Sequence, residues 1–226
     1  MNITWIGQAG LYIEAEGLRI LVDPYLSDSV AKIEPKNTRR VPVDEHFWEV
    51  VPDVIICTHN HLDHVDPETL THYLTRGGSV TVLAPEAAWQ EVRKFEGGHN
   101  YVKFNRHSQW TAGKVRFTAV RAEHSDVHPI GLLIEAEGKR LYVTGDTLYN
   151  TDIFEDILPH APIDAIFLPI NGVGNNMNMA DARRFCEAIK PRVAVPLHWG
   201  LFDSLNGADW DYPNKVVPEF FKEVKM

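Results

Sequence analysis

The densest run of chemistry-bearing side chains is Cys57-Thr58-His59-Asn60-His61-Leu62-Asp63-His64-Val65-Asp66. Three histidines and an aspartate fall within six residues, directly after the apolar run Val54-Ile55-Ile56. Imidazole and carboxylate together are ligands for zinc, iron or manganese. In an extended segment alternate side chains share a face, so His59 and His61 can grip one cation. Asp63 and His64 come after a turn and can address a second cation beside it. Asp66-Pro67 reads as a helix start, with Asp as cap and Pro in the first helical position. The cluster therefore belongs on a short loop between a buried strand and a helix N-terminus. A solvated histidine-rich loop is the ordinary reading of isolated histidines, and this density behind a buried strand argues against it.

The elements that must position this loop can be read in order. Ile3–Ile6, Leu11–Ala15 and Arg19–Val22 are expected strands, separated by Gly7-Gln8-Ala9-Gly10 and a Glu16-Gly17 turn. Asp23-Pro24 closes the third. An acid there is commonly a turn former, and it can also be a carboxylate that orients a metal-binding histidine. Residues 25–49 show little periodicity, a length that suggests a functional lid or partner surface, with Phe47 and Trp48 pinning its end to the core. A helix is expected over Pro67–Arg76, stopped by Gly77-Gly78, then a strand at Val80–Leu83 and a second helix over Pro85–Phe95. Such βαβα alternation argues for a parallel or mixed sheet covered by helices. The pattern restarts near residue 101 with β-like sequence to Val120, and His124 sits just beyond that strand. A hairpin over 131–144 turns at Glu137-Gly138-Lys139 and ends in Gly145-Asp146-Thr147, where Asp146 would present a carboxylate at the sheet edge. Ala165–Pro169 is a buried strand leading into the glycine-bearing loop Asn171–Asn176. It is no P-loop, because the Gly-Lys-Ser/Thr ending is missing. Asn178 caps a helix running to about Lys190, Val193–Pro196 is the last strand, and His198 follows it. A C-terminal helix is expected from Pro213 onwards, with Phe220 and Phe221 inward.

Composition bounds what such a chain can be. At 226 residues, with 44% hydrophobic and 23% charged residues, it fits a single soluble domain spanning 1–226. No apolar run approaches the roughly 20 residues of a membrane helix, and the N-terminus lacks a basic region followed by an apolar one, so no membrane partner is expected. Two cysteines far apart indicate no disulfide framework, which makes the cytoplasm the simplest location. A net charge of -9, from 31 acidic against 22 basic residues, argues against a nucleic-acid partner. The short basic group Lys36-Asn37-Thr38-Arg39-Arg40 is either a solvated loop or a local anion site. His107 and His128 flank strands in the second half and are candidates to line a pocket, as is Asn171. His46, His72, His99 and His160 show no clustering.

The pattern His-x-His-x-Asp-His at 59–64 resembles the signature of the metallo-β-lactamase superfamily. That resemblance implies an α/β fold, an αββα sandwich of two mixed β-sheets flanked by helices. It implies that His59, His61 and His124 hold a first divalent ion, that Asp63, His64 and His198 hold a second, and that Asp146 bridges them. Asp23, in its Leu-Val-Asp-Pro setting, takes a supporting part behind the ligands. All of these lie at or just beyond the ends of expected strands, where α/β sheets gather functional groups. The wording Trp5-Ile6-Gly7-Gln8-Ala9-Gly10, Leu21-Val22-Asp23-Pro24-Tyr25-Leu26-Ser27-Asp28-Ser29-Val30 and Thr58–His64 narrows the likeness to the branch of ascorbate-6-phosphate lactonase-like proteins.

The chemistry so implied is hydrolysis. Two divalent ions, two carboxylates and a hydroxide sum to about +1, which favours anions and a developing oxyanion. A metal lowers the pKa of bound water towards about 7, and the hydroxide so formed attacks carbonyl carbon or phosphorus, with Asp63 orienting it. The first expectation is a binuclear, lactonase-like hydrolase of a lactone or related ester of a small metabolite, phosphorylated or not, in which Arg39 and Arg40 offer an anion site. A phosphodiesterase is the alternative, and a metal-binding protein without turnover is a further one. The lactonase likeness suggests manganese and the superfamily zinc, with iron also compatible. A homo-oligomer is compatible with the sequence.

Overall fold

The computed structural model describes residues 1–95 and 97–226. It contains two six-stranded mixed sheets, each antiparallel at one end and parallel at the other. The first runs in chain order through β1 (Asn2–Gly7), β2 (Gly10–Ala15), β3 (Leu18–Val22), β4 (Val54–Ile56), β5 (Thr81–Ala84) and β6 (Asn100–Lys103). Strands β1 to β3 pair antiparallel and β3 to β6 parallel. The second sheet has the order β12 (Val193–Leu197), β11 (Ala165–Pro169), β10 (Lys139–Val143), β9 (Ile130–Ala136), β8 (Val115–Arg121), β7 (Gln109–Ala112). Strands β7 to β10 pair antiparallel and β10 to β12 parallel.

Parallel neighbours need crossover connections, which helices supply for all of them except β3 and β4, joined through the irregular 25–49 stretch. Helices α1 (Pro67–Thr75) and α2 (Glu86–Val92) link β4, β5 and β6, while α3 (Ile153–Ile157) and α4 (Met179–Ile189) link β10, β11 and β12. The period-2 alternation of a strand sorts its side chains into two cores. Ile20, Val22, Val54 and Ile56 enter a large core that also takes Phe117, Leu132 and Ile134 of the other sheet. Leu21, Ile55 and Val82 point the other way, into a smaller core under Leu70, Tyr73 and Leu74 of α1 and Ala88 and Val92 of α2. Two sheets back to back with helices outside constitute the expected αββα sandwich.

Local signals explain the helix ends. The Asp66 side chain accepts from Glu68 N and Pro67 opens α1, which ends at Gly77 and Gly78, both at φ 86°. Asn178 Oδ1 accepts from Asp181 N at 2.9 Å to start α4, and Lys190 adopts a left-handed conformation before Pro191. The stretch 25–49 has no strand or α-helix, only short 3₁₀ turns, and buried Phe47 anchors its end as expected.

Three expectations need correction. Among the described residues, no helix forms at the C-terminus after Pro213. The segment instead hydrogen-bonds to two open sheet edges: Val216 N to Ala194 O of β12, then Phe221 N to Trp5 O and Val224 N to Ile3 O of β1. Edge pairing satisfies more backbone groups than a short helix interrupted by Pro218 could. Phe220 still packs inward, stacked 4.1 Å from the Trp5 ring. The second half begins at β7 and not near residue 101, because β6 pairs parallel with β5 in the first sheet. Helix α2 ends at Val92, short of Phe95. The short α3 had no counterpart in the sequence pattern.

Candidate metal centre

The parallel strands end at one rim, and their following residues converge there. His59, His61, Asp63 and His64 follow β4, with the chain reversed by hydrogen bonds from His64 N and Val65 N to His61 O. His124 follows β8, Asp146 follows β10 and His198 follows β12. Close approach at Gly145 is needed for this: a Cβ there would stand 2.7 Å from Ile130 O and 3.1 Å from Thr58 Cβ. Gln8, Asp23 and His198 all turn out of their strands with positive φ, at 48°, 43° and 58°.

Two donor clusters result. Nitrogens of His59, His61 and His124 lie within 4.8 Å of one another, with His61 Nδ1 3.1 Å from His124 Nε2. Asp63, His64 and His198 form the other, with His198 Nε2 3.3 Å from Asp63 Oδ2 and His64 Nε2 3.9 Å from Asp63 Oδ1. Asp146 Oδ2 stands between the clusters, 3.2 Å from His198 Nε2, 3.4 Å from His64 Nε2 and 3.8 Å from His124 Nε2. Donors about 2.1 Å from a tetrahedral ion are about 3.4 Å from each other, so these spacings fit shared cations. Burial supports the fit. His59 Nε2, His64 Nε2 and Asp146 Oδ1 are buried with no hydrogen-bond partner, a costly condition that a cation would relieve.

A layer of neighbours fixes which nitrogen each histidine offers. Asp23 Oδ1 accepts from Thr58 N at 2.7 Å, and its Oδ2 accepts from Thr58 Oγ1 at 2.6 Å and lies 2.9 Å from His64 Nδ1. Thr58 Oγ1 in turn stands 3.1 Å from His59 Nδ1. One carboxylate thus aims a histidine of each cluster, leaving both Nε2 atoms free. His124 Nδ1 is held by Asn175 O at 3.1 Å. Asn171, whose carboxamide is 3.0 Å from His198 Nδ1, lies on the rim loop after β11.

The electrostatics of the protein groups follow from this packing. Burial, aided by the neighbouring His64, holds His59 well below the usual histidine range, and burial lowers His124. Burial also opposes charge on His64 and His198, but the carboxylates win. Asp146, Asp23 and Asp63 hold His64 well above its ordinary value, and Asp146 and Asp63 push His198 up to about 10. For Asp63 burial is outweighed chiefly by His64 and His198, and for Asp146 by His198 and His64; both stay ionised.

The sequence-derived candidates outside the ligand set separate into different places. A cleft of about 770 Å³ opens over the clusters, with Gln8, His61, Asp63, Asn171 and His198 in its lining. Arg39 does not face it. Its Nη1 donates to Tyr25 O at 2.8 Å and its guanidinium packs 5.5 Å from the Tyr25 ring, tying the 25–49 stretch down. Arg40 is exposed and also absent from the lining; from that basic group only Lys36 and Asn37 reach the cleft. His107 is exposed, with Nε2 3.2 Å from Asp156 Oδ1. His128 borders a separate hollow of about 350 Å³ beside His124.

Sequence reasoning passed over several supporting groups. Gln8 Nε2 donates to Asp63 Oδ2 at 2.9 Å, and Gln8 O accepts from His198 N at 3.0 Å. Asn176 Nδ2 donates to Asp146 Oδ2 at 2.8 Å, and Asp126 Oδ2 accepts from Asn60 N at 2.9 Å. The signal for Gln8 was present: one amide set in the Gly7-Gln8-Ala9-Gly10 turn between two strands.

Comparison with known proteins bears on family and fold. The family model described as the beta-lactamase superfamily domain matches residues 18–199. The chain belongs to this superfamily. It is 30% identical over 215 residues to a UPF0173 metal-dependent hydrolase of Staphylococcus epidermidis, covering 89% of this chain and 87% of that one. Among solved structures it is similar to a possible metal-dependent hydrolase from Veillonella parvula, at TM-score 0.80 and 16% identity over 100% of this chain and 99% of the other. An isothiocyanate hydrolase from Delia radicum gut bacteria matches at TM-score 0.73 and 16% identity, over 100% of this chain and 99% of that one. At such identities these structures share the superfamily fold.

Proposed function

We propose that this chain is a metal-dependent hydrolase that holds two divalent ions and opens a lactone or related carboxylic ester of a small metabolite. The observation that carries the reading is Asp146 Oδ2, set within 3.2–3.8 Å of ligand nitrogens from both histidine clusters. His59, His61 and His124 would hold one ion, Asp63, His64 and His198 the other, and Asp146 both. When bound, such ions supply Lewis acidity and a nucleophile at neutral pH.

The chain's own groups do the rest. Asp63, kept ionised and fixed by Gln8 Nε2, offers a carboxylate oxygen to orient the attacking water and take its proton. Asp23, Asn171 and Asn176 keep the ligands from swinging as charge develops. The water oxygen bonds to the acyl carbon, the ester C–O bond breaks, and the proton passes to the alkoxide oxygen, which departs as an alcohol from an open ester and stays in the same molecule when a lactone opens. The likeness to lactonase-like sequences at 5–10, 21–30 and 58–64 supports an acyl over a phosphoryl centre.

The test uses protein loaded separately with zinc and with manganese, metal content measured, against carboxylic esters, lactones and phosphodiesters. Turnover of the esters and lactones is expected. Turnover of phosphodiesters alone rejects the acyl assignment, and full metal content without any turnover rejects hydrolysis.

A further inference from the structure

The walls of the cleft differ in character from its floor. Ile33, on the 25–49 stretch, is 74% exposed, and Val173, on the rim loop after β11, is 68% exposed. Both line the cleft, joined by Val30 and Phe202. Exposure alone is ordinary, since Val127 away from this cleft is 80% exposed; what bears on function is that two separate loops bring Ile33 and Val173 to the lining of one cavity. Among the described residues, the charged wall groups are Glu34, Lys36 and Asp203. Lys36 Nζ stands 3.6 Å from Glu34 Oε2, and Asp203 Oδ1 accepts from Gly200 N and Leu205 N, each at 2.9 Å. The Lys36 cation is therefore paired, and these wall charges sum to an acid excess. An anionic group would find its attraction only at the floor, where the metal ligands lie.

Resting on the hydrolase reading above, we infer that the substrate is an ester whose acyl side carries an uncharged aliphatic group. Ile33 and Val173 cover that group, and no second anion such as a phosphate is bound at the walls. The reacting carbonyl sits at the floor, where the metal ligands lie, while the aliphatic arm runs outward between the two loops. Each methylene covered contributes about fourfold in affinity, so two additional methylenes give roughly tenfold or more. A second carboxylate in the same place meets Glu34 and Asp203 and loses that gain.

Two readouts test this, one independent of turnover. Calorimetry with metal-loaded protein compares hexanoate with acetate, and hexanoate with adipate, which has the same carbon count and a second carboxylate. Hexanoate is expected to bind at least about tenfold more tightly than either. Kinetics then compare p-nitrophenyl acetate, butyrate and hexanoate, with kcat/KM rising about tenfold from acetate to butyrate. The double variant Ile33→Ser/Val173→Ser, with metal content and melting temperature checked against the parent, should flatten both preferences to below about threefold. Equal binding of acetate and hexanoate, preference for adipate, or a selectivity that survives the double substitution overturns the assignment. Selective hexanoate binding without ester turnover overturns the hydrolase reading and leaves the aliphatic wall standing.

Discussion

Asp23→Asn removes a charge without changing shape, and the partners of that carboxylate determine how far the damage spreads. It accepts from Thr58 N at 2.7 Å and from Thr58 Oγ1 at 2.6 Å, with His64 Nδ1 2.9 Å away. A carboxamide has one acceptor oxygen and one donor group. If the oxygen faces Thr58 N, the NH₂ faces Thr58 Oγ1 and His64 Nδ1. The hydroxyl then reverses and donates to His59 Nδ1, and both histidines are driven to carry their proton on Nε2, the atom each would give to a cation. If the amide turns over, two N–H groups confront each other in a buried site, at a cost of about 1–3 kcal/mol. Either way a residue that touches no cation damages both clusters. Metal affinity should fall by about 10- to 100-fold, the range for partners that orient ligating histidines. Competition against a chromophoric chelator measures it, with melting of the chelator-treated protein reporting the stability loss. An affinity within twofold of the parent in a folded variant would refute the orienting role of Asp23.

Other perturbations have equally definite outcomes. Asp146→Asn should lower bound metal by about half and ester turnover by at least about 100-fold, as read by elemental analysis and initial rates; full content with full activity refutes the bridging role. Gln8→Ala frees Asp63 from its 2.9 Å donor and should weaken the ion at Asp63, His64 and His198 more than the other, which stepwise metal titration resolves. Because the carboxylates favour protons on His64 and His198, with His198 at about 10, metal uptake must release protons at neutral pH. Affinity should therefore rise with pH between about 6 and 9, and calorimetry in buffers of different ionisation enthalpy counts the protons; no release refutes the charge assignment. Asp156 accepts from Arg106 Nε at 2.8 Å, Arg106 Nη2 at 2.7 Å and Arg121 N at 2.8 Å, which outweigh its burial and hold its carboxyl well below the usual range. Its stabilisation is complete above the unfolded value near 4 and is lost as pH falls through the folded one, so Asp156→Asn should cost about 1–3 kcal/mol at pH 7 and progressively less in acid. An equal cost in urea unfolding at pH 7 and pH 3 would count against this.

Much of the centre was legible because its chemistry is written in residue type and in position relative to strand ends. His59 to His64 announced themselves by density, and Asp146 by a glycine before it that only a crowded approach requires. His124 and His198 carried little signal alone, since one histidine after a strand is ordinary; the superfamily resemblance singled them out. The anion site at Arg39 and Arg40 was misread because a basic run does not reveal which cation turns inward, and Arg39 packs on Tyr25. The C-terminal helix was misread for a related reason. Phe220 and Phe221 are equally apolar in helix or strand, and open edges at β1 and β12 are visible only in three dimensions. Gln8 and Asn176 hold their carboxylates across 55 and 30 residues of sequence, a separation that no local pattern encodes.

The left-handed turns at Gln8, Asp23 and His198 bear on how the ions find their places. None of these is a glycine, and each such backbone conformation costs roughly 1–2 kcal/mol that the surrounding sheets must sustain. The fold thus holds one ligand, His198, and two of the residues that brace ligands in tension before any cation arrives, as a set trap holds its spring. Loading should then leave the far-ultraviolet dichroism almost unchanged, and a glycine at any of these turns would slacken the grip while easing the chain.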